Sequence, residues 1–236
     1  MKLTSIKTNE IYNEKTIHGN TLFPIQYYYD DISKYDNGHI PLHWHEEFEI
    51  YTIIEGTVTC LIGEQKVVLE KNESIFINSK VLHSYETFNN AKMHNIVFSY
   101  SLLFQQNSLL YDKYILDLLD SKFIYLKIDS SSSINQTLYS IYNSFILKEE
   151  NWELQIFLNI TKFWSFIYKN KNLLTESPNS KIASLSHARL KRMIQFITTN
   201  YKSNITLEDI AKSANISKSE ALRCFTFHTR TTPIDY

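Results

Sequence analysis

Apolar positions along the chain change period part-way. In the first hundred residues they form short runs rich in aromatic and β-branched side chains: Phe48 to Ile54, Thr57 to Ile62, Gln65 to Leu69, Ser74 to Ile77 and His94 to Phe98. Gly63-Glu64 makes a turn between the second and third runs. Short strands at even spacing predict a sandwich or small barrel. Beyond Ser101 the repeat lengthens to that of a helix. Leu109, Leu110, Tyr114, Ile115, Leu118 and Leu119 form one stripe. Ile134, Leu138, Ile141, Tyr142, Phe145 and Ile146 form a second, and Leu154, Phe157, Leu158, Phe163, Trp164 and Ile167 a third. Phe123 to Ile128 reads as a short strand, and Ser130 to Ser133 as a loop leading into a helix N-cap. The last two helices carry more apolar surface than one small sheet covers, so part of it is expected to be a dimer face. The polar stretch Asn170 to Ser180 reads as a linker.

The C-terminal part has a different grammar. Ala188 to Tyr201 predicts a helix with Leu190, Met193, Ile194 and Ile197 on one face. Thr206 can cap the next helix, with Asp209 at its third position, where a carboxylate favours the helix start. Leu207, Ile210, Ala211 and Ala214 are its buried face, Asn215 takes a left-handed turn, and Ile216 plugs the core. Ser217-Lys218-Ser219-Glu220 reads as a capping box for a third helix with Ala221, Cys224 and Phe225 inward. Two helices joined by so short a turn are the helix-turn-helix pattern. Ser217, Lys218, Ser219, Glu220, Leu222 and Arg223 then face DNA. Arg223 suits a guanine edge, and Lys218 with the helix N-terminus suits phosphates. Glu220 is expected to complete the capping box rather than to face a cytosine.

These residues, with Ile205-Thr206-Leu207, Arg223-Cys224-Phe225 and Thr231-Thr232-Pro233-Ile234-Asp235-Tyr236, closely resemble the first half of the AraC/XylS-type DNA-binding domain, over residues 185–236. The resemblance implies that Thr232 caps a following helix with Pro233 as its first residue. The family's basic pair falls on Thr226-Phe227 and its glycine on Arg230, where a left-handed residue without Gly would be strained. The family domain is about twice as long, so the chain is expected to be truncated after its first helix-turn-helix.

Near the other end, Pro41-Leu42-His43-Trp44-His45-Glu46-Glu47-Phe48-Glu49 precedes a strand ending at Glu55-Gly56. Alternation along one strand would put His43, His45 and Glu49 on one side, and His83 could complete the cluster. This pattern resembles the first motif of the cupin barrel over residues 20–100. With the C-terminal resemblance it implies a sugar-responsive regulator. His43, His45, Glu49, His83, Trp44 and Tyr85 are the expected effector contacts. The expectation for the histidines is ligand contacts or ordinary hydrogen bonds, with a divalent metal on His43, His45, Glu49 and His83 as the alternative.

Composition and charge narrow the picture further. Four glycines and no Gly-rich motif exclude phosphate-binding loops. Cys60 and Cys224 form no CxxC pair and read as buried thiols in a reducing compartment. No run of about 18 apolar residues appears, and Met1 to Tyr12 reads as no secretion signal. Residues 181–236 hold nine basic and four acidic side chains, a local charge of +5, against 15 basic and 21 acidic in the rest. Only the tail is therefore expected to meet a polyanion.

The expected fold is α+β: a cupin-like β-barrel over 1–105, a helical dimerisation segment over 106–170, a linker over 171–184 and a small all-α helix-turn-helix unit over 185–236. The expected function is that of a cytoplasmic, homodimeric, sequence-specific regulator of transcription. It would bind double-stranded DNA and a small effector, a sugar or related metabolite, with no membrane contact, cofactor or catalysis. The rival readings are a metal-dependent cupin enzyme and a truncated, DNA-incompetent fragment acting through dimerisation alone.

Overall fold

The structure is a computed structural model and describes residues 6–9, 11–119, 123–176, 180–229 and 231–236. Two antiparallel sheets face one another. The larger has the order β1-β8-β3-β6-β9-β10, with β1 (Ile25–Asp31), β3 (Phe48–Glu55), β6 (Ser74–Ile77), β8 (Lys92–Phe98), β9 (Phe123–Ile128) and β10 (Thr175–Glu176). The smaller has the order β2-β7-β4-β5, with β2 (His39–His43), β4 (Val58–Ile62), β5 (Gln65–Leu69) and β7 (His83–Glu86). The five expected strands are all present, and so is β9. The tight turn at Gly63 needs its positive φ of 57°. β9 is the short strand expected at Phe123 to Ile128, and it pairs with β6, Phe76 opposite Leu126, and so extends the barrel's own sheet.

Alternation assigns each face of the large sheet. Phe48, Ile50, Phe76, Ile96, Phe98 and Leu126 belong to an outer core with α3 (Ile134–Leu147) and α4 (Trp152–Lys169). Tyr51, Ile53, Ile75, Ile77 and Met93 belong to the inner core, shared with Ile40, Cys60, Ile62 and Tyr85 of the small sheet. The helical stripes thus cover the sheet, with exceptions. Leu109 and Leu110 are exposed, and Tyr111, Ile115 and Leu118 are the buried residues of that segment. It runs as single α turns, α1 (Leu109–Tyr111) and α2 (Asp117–Leu119), on either side of a π turn at Asp112–Leu116, which rotates the face. Ile146, Leu154 and Leu158 are also exposed. Ser133 precedes α3 in a helical conformation and makes no side-chain capping bond, contrary to the expected cap.

α5 spans Ser180–Asn200 and so begins eight residues before the expected helix, inside the expected linker. Ser177 to Asn179 and Arg230 lie outside the described residues. α6 (Leu207–Ser213) has the full capping box, Thr206 with Asp209. Asn215 adopts the left-handed turn at φ 55° before α7 (Lys218–Thr229). Leu190, Met193, Ile194, Ile210, Ala211, Ala214, Ala221 and Phe225 close the core of this unit. The same cluster takes in Leu42 and Leu82 of the barrel, with Tyr12 and Trp44 half-buried against it. The helical unit therefore sits on the end of the barrel where β2 stops and β7 begins. Cys60 and Cys224 are both buried. Among the described residues no helix is long and apolar enough to cross a membrane.

Candidate functional site

The barrel end beneath the helical unit carries a buried histidine–carboxylate cluster. His43 is the last residue of β2 and stands opposite His83, the first of β7. Glu49 lies on β3, on its inner side with Tyr51. His45 is in the connection between β2 and β3, so the expected alternation of His43 and His45 along one strand is not what joins them. The chain turns after His43, and the two rings still converge, with centroids 6.0 Å apart. His43, His45, Glu49 and His83 are each at most 5% exposed, and one donor atom from each lies within 4.8 Å of the others.

The hydrogen bonds set the chemistry. Nδ1 of His43 bonds the Pro41 carbonyl at 2.7 Å, Nδ1 of His83 the Val81 carbonyl at 2.8 Å, and Nδ1 of His45 the Glu47 carbonyl at 3.2 Å. A carbonyl only accepts, so each Nδ1 carries the proton and each neutral ring is left with a bare lone pair on Nε2. Those lone pairs point at a carboxylate. His83 Nε2 is 2.7 Å and His45 Nε2 3.4 Å from Glu49 Oε2, and neither nitrogen has a hydrogen-bond partner. Lone pairs facing lone pairs in a buried site need a cation between them, either a proton on a ring or a metal ion.

Electrostatics divides the rings. Burial and the charge of His83 push His43 down to about 3. Burial opposes a charge on His45, but the Glu49 carboxylate outweighs it and raises that pKa. Burial opposes a charge on Glu49 too, yet His83 and His45 hold it well below the usual carboxylate range. Tyr85 donates to Glu49 Oε2 at 3.5 Å and its ring lies 4.2 Å from that of Tyr51. Tyr85 therefore belongs to the site as expected. Trp44 does not. Its indole turns away from the cluster, donates to the Ile11 carbonyl at 2.8 Å and packs under the helical unit.

Two groups join the cluster without any signal in the sequence pattern. Glu14 Oε2 lies 3.9 Å from His43 Nε2 and 3.5 Å from His18 Nε2, and the His18 ring is 5.4 Å from that of His45. Both residues are on an extended segment, which has no helical or strand period to mark an inward face. Only their chemistry, a carboxylate and an imidazole four residues apart, could have flagged them. Further along the inner wall, Asp30 accepts from Tyr35 at 2.9 Å and from Asn95 at 3.5 Å, while Asn95 Oδ1 is buried without a partner.

On the helix-turn-helix unit, Ser217, Lys218, Ser219, Leu222 and Arg223 are exposed along one side of α7, opposite buried Ala221, Cys224 and Phe225. Ser217 Oγ accepts from the Glu220 amide at 3.2 Å, half of the expected capping box. The Glu220 carboxylate instead pairs with Arg189 of α5 at 2.6 Å, which ties α7 to α5 and takes Glu220 out of the base-reading set. Lys218 reaches Glu208 at 3.4 Å.

Residues 31–114 match the family model of the AraC-like ligand binding domain. Over that span the barrel is similar to AraC-like ligand binding domains. Its match begins at the end of β1 and takes in all four residues of the buried cluster. The chain is also 29% identical over 235 residues to the uncharacterized HTH-type transcriptional regulator YdeC of Bacillus subtilis (strain 168), covering 94% of this chain and 77% of that protein. Among solved structures, an apo ToxT variant from Vibrio cholerae strain SCE256 aligns with a TM-score of 0.47 and 13% identity over 93% of this chain and 98% of that one. A cupin-2 domain containing protein from Shewanella frigidimarina NCIMB 400 aligns with a TM-score of 0.28 and 22% identity over 30% of this chain and 68% of that one.

Proposed function

We propose that the chain is a cytoplasmic transcription regulator that binds specific double-stranded DNA through α7 and reads an effector at the buried cluster of its AraC-like barrel. One observation carries this reading. The helix-turn-helix unit leaves its base-reading face open and rests its other side, through Leu42, Leu82, Tyr12 and Trp44, on the barrel end that holds the cluster. A ligand that favours one seating of the unit over another would shift DNA affinity by that difference. The barrel is read as a sensor and not as an enzyme.

Arg223 is the best-placed side chain to read a base edge, with Lys218, Ser217 and Ser219 at the helix start on phosphates. A single short module makes few contacts, so a homodimer supplying two modules is part of the proposal. Leu154 and Leu158, one turn apart on α4 and both exposed, are the surface we assign to the second copy.

Two effector classes fit the cluster differently. A sugar or related metabolite would find hydroxyl partners in Asp30, Asn95 and the inner tyrosines. Three rings each fixed by a carbonyl on Nδ1, two of them with Nε2 facing the Glu49 carboxylate, favour a divalent transition metal held by His43, His45, His83 and Glu49. That ion would supply the positive charge the buried donors lack.

The test is selection of DNA sites from a random pool by the full chain, followed by titration of the selected site. Arg223→Ala is expected to weaken specific binding about 5- to 150-fold and leave thermal unfolding unchanged. Sedimentation of the same samples should show a dimer that Leu154→Glu/Leu158→Glu disperses. Recovery of no preferred sequence would defeat the regulator reading.

A further inference from the structure

We infer that the inner wall of the barrel beside β1 is a subsite for an ammonium group, held by Asp30 and Asn95, and that the organic effector is therefore a small hydroxylated amine and not a neutral sugar. This rests on the reading of the barrel as an effector domain.

Register puts the two groups side by side. Asn95 of β8 stands between Tyr28 of β1 and Tyr51 of β3, so all three project from the inner face. Asp30 is two residues beyond Tyr28 and keeps its side. Asn95 is 5% exposed, whereas Tyr28 and Asp30 are half-buried on the edge strand of the large sheet. The wall is thus closed at Asn95 and reachable beside β1.

Donors and acceptors on this wall do not balance. The Tyr35 hydroxyl donates to Asp30 Oδ1 at 2.9 Å. The Asn95 amide nitrogen is 3.5 Å from Asp30 Oδ2, at the long limit of a hydrogen bond. A carboxylate only accepts, so the nitrogen is the end of the amide that faces it. Asn95 Oδ1 is then left buried with no partner. Asp30 has further lone pairs to offer, so the pair presents acceptors and lacks donors. It also lacks positive charge. Among the described residues no Lys, Arg or His is paired with Asp30, and the charges that act on it, those of Glu49 and Glu14, share its sign. His18 and His45 are engaged by Glu14 and Glu49 instead.

That imbalance selects the ligand. A hydroxyl brings one donor and no charge, and it would leave the carboxylate uncompensated in a desolvated wall. An ammonium brings three donors on one atom and the missing charge, enough for Asp30 Oδ2, Asn95 Oδ1 and one more acceptor. Tyr28 and Tyr51, on either side of Asn95, add aromatic surface that favours a cation over a neutral group. Further along the wall the Tyr28 and Tyr85 hydroxyls bond His18 at 2.9 Å and Glu49 at 3.5 Å, and each oxygen keeps a lone pair for a hydroxyl of the same ligand.

The experiment compares ligands that differ in one group. Ethanolamine is set against ethylene glycol, and D-glucosamine against D-glucose, with binding to the full chain read by calorimetry. At about pH 6.5 both amines are charged and Asp30, raised to about 6, is mostly ionised. We expect each amine to bind about 10- to 100-fold more tightly than its hydroxyl counterpart. Asp30→Asn should bring the members of each pair within about 3-fold of one another, and Asn95→Leu should weaken the amines about 5-fold. Equal affinity within each pair in the unmodified chain, tighter binding of the hydroxyl compounds, or no binding of either amine overturns the inference, and that comparison does not depend on either variant folding. An amine preference that survives Asp30→Asn in a chain that still melts cooperatively overturns the placement at Asp30. The regulator reading fails separately. Selection that recovers no preferred DNA sequence defeats it and leaves the ammonium subsite standing, while retained DNA preference without amine selectivity does the reverse.

Discussion

The two faces of the large sheet are made by alternate residues of the same strands, yet one is packed mainly with apolar side chains and the other carries buried charged and polar groups. Outward, Phe48 meets Trp164 at 4.8 Å between ring centroids, Phe76 meets Phe163 at 5.8 Å, and Thr52 bonds both Ser74 and Tyr142 through its hydroxyl. The outward apolar side chains form one core cluster with those of α3 and α4. Inward, the same β3 carries Glu49, β1 carries Asp30 and β8 carries Asn95, and buried Asn95 Oδ1, His45 Nε2 and His83 Nε2 have no hydrogen-bond partner. Uncompensated groups of that kind destabilise a fold unless something else holds the backbone. The comparison teaches that the helix-covered face stabilises the strands, and that the resulting rigidity lets the inner face hold a buried polar cluster in place.

The sharpest way to break this comparison is to remove the cover. Trp164 is 2% exposed, packs tilted against Phe48 and edge-on to Phe76, and donates its indole N–H to the Tyr114 carbonyl at 3.0 Å. Trp164→Ala should cost about 3–5 kcal/mol, from lost burial, the cavity left behind and an orphaned carbonyl. Chemical denaturation would measure it. A loss below about 1 kcal/mol would mean that the helices do not hold the sheet, and the division of labour between faces would fail.

How much of this was legible in the sequence follows from the same alternation. β3 was readable because Phe48, Ile50 and Ile53 are apolar and β-branched or aromatic on both sides of Glu49 and Tyr51. The helical stripes were readable because α3 and α4 bury one side each. The capping box at Thr206 and the left-handed Asn215 were readable because those positions admit few residue types. β1 was not. It is an edge strand, Ile25-Gln26-Tyr27-Tyr28-Tyr29-Asp30-Asp31, and its inner positions are polar because they line the site, which erases the apolar pattern. β2 was hidden by Pro41 and by its early end at His43. Of the candidate site, the four clustered barrel residues His43, His45, Glu49 and His83, and Tyr85 beside them, were legible from residue type and spacing. Glu14 and His18 were not, since an extended strap takes its position from tertiary contacts with Trp44. Trp44 itself was misassigned for the same reason, and Glu220 because Arg189, the partner that claims it, is 31 residues away.

The next prediction concerns the inner face. Burial raises Asp30 from 3.8 to about 6, in spite of hydrogen bonds from Tyr35 and Asn95 that favour its charge. A carboxyl raised on folding binds more protons in the native state, so it favours the fold below its unfolded pKa. That contribution is lost as pH rises from about 4 to about 6. Asp30→Asn removes the titration. The stability of Asp30→Asn relative to wild type should therefore rise across that window, by on the order of 1–2 kcal/mol. Thermal unfolding at several pH values reads the difference, and a relative stability independent of pH would show that Asp30 is not desolvated by the inner wall.

The outer face gives the opposite sign and the smallest effect. His94 alternates with the inner residues of β8, lies 4.3 Å from Tyr142 in a stacked pair, and bonds the Tyr27 hydroxyl at 2.8 Å. Burial lowers it from 6.5 to about 4. A histidine depressed on folding binds fewer protons in the native state than when unfolded, so stability is lost as pH falls from about 6.5 to about 4. His94→Phe keeps the ring contact and removes the titration. Its stability relative to wild type should rise as pH falls, by on the order of 1 kcal/mol, reduced by solvent at this half-buried ring. Asp30→Asn and His94→Phe should thus diverge from wild type in opposite pH directions. If both shifted the same way, burial would not be what perturbs the two groups, since desolvation raises the pKa of an acid and lowers that of a base on either face.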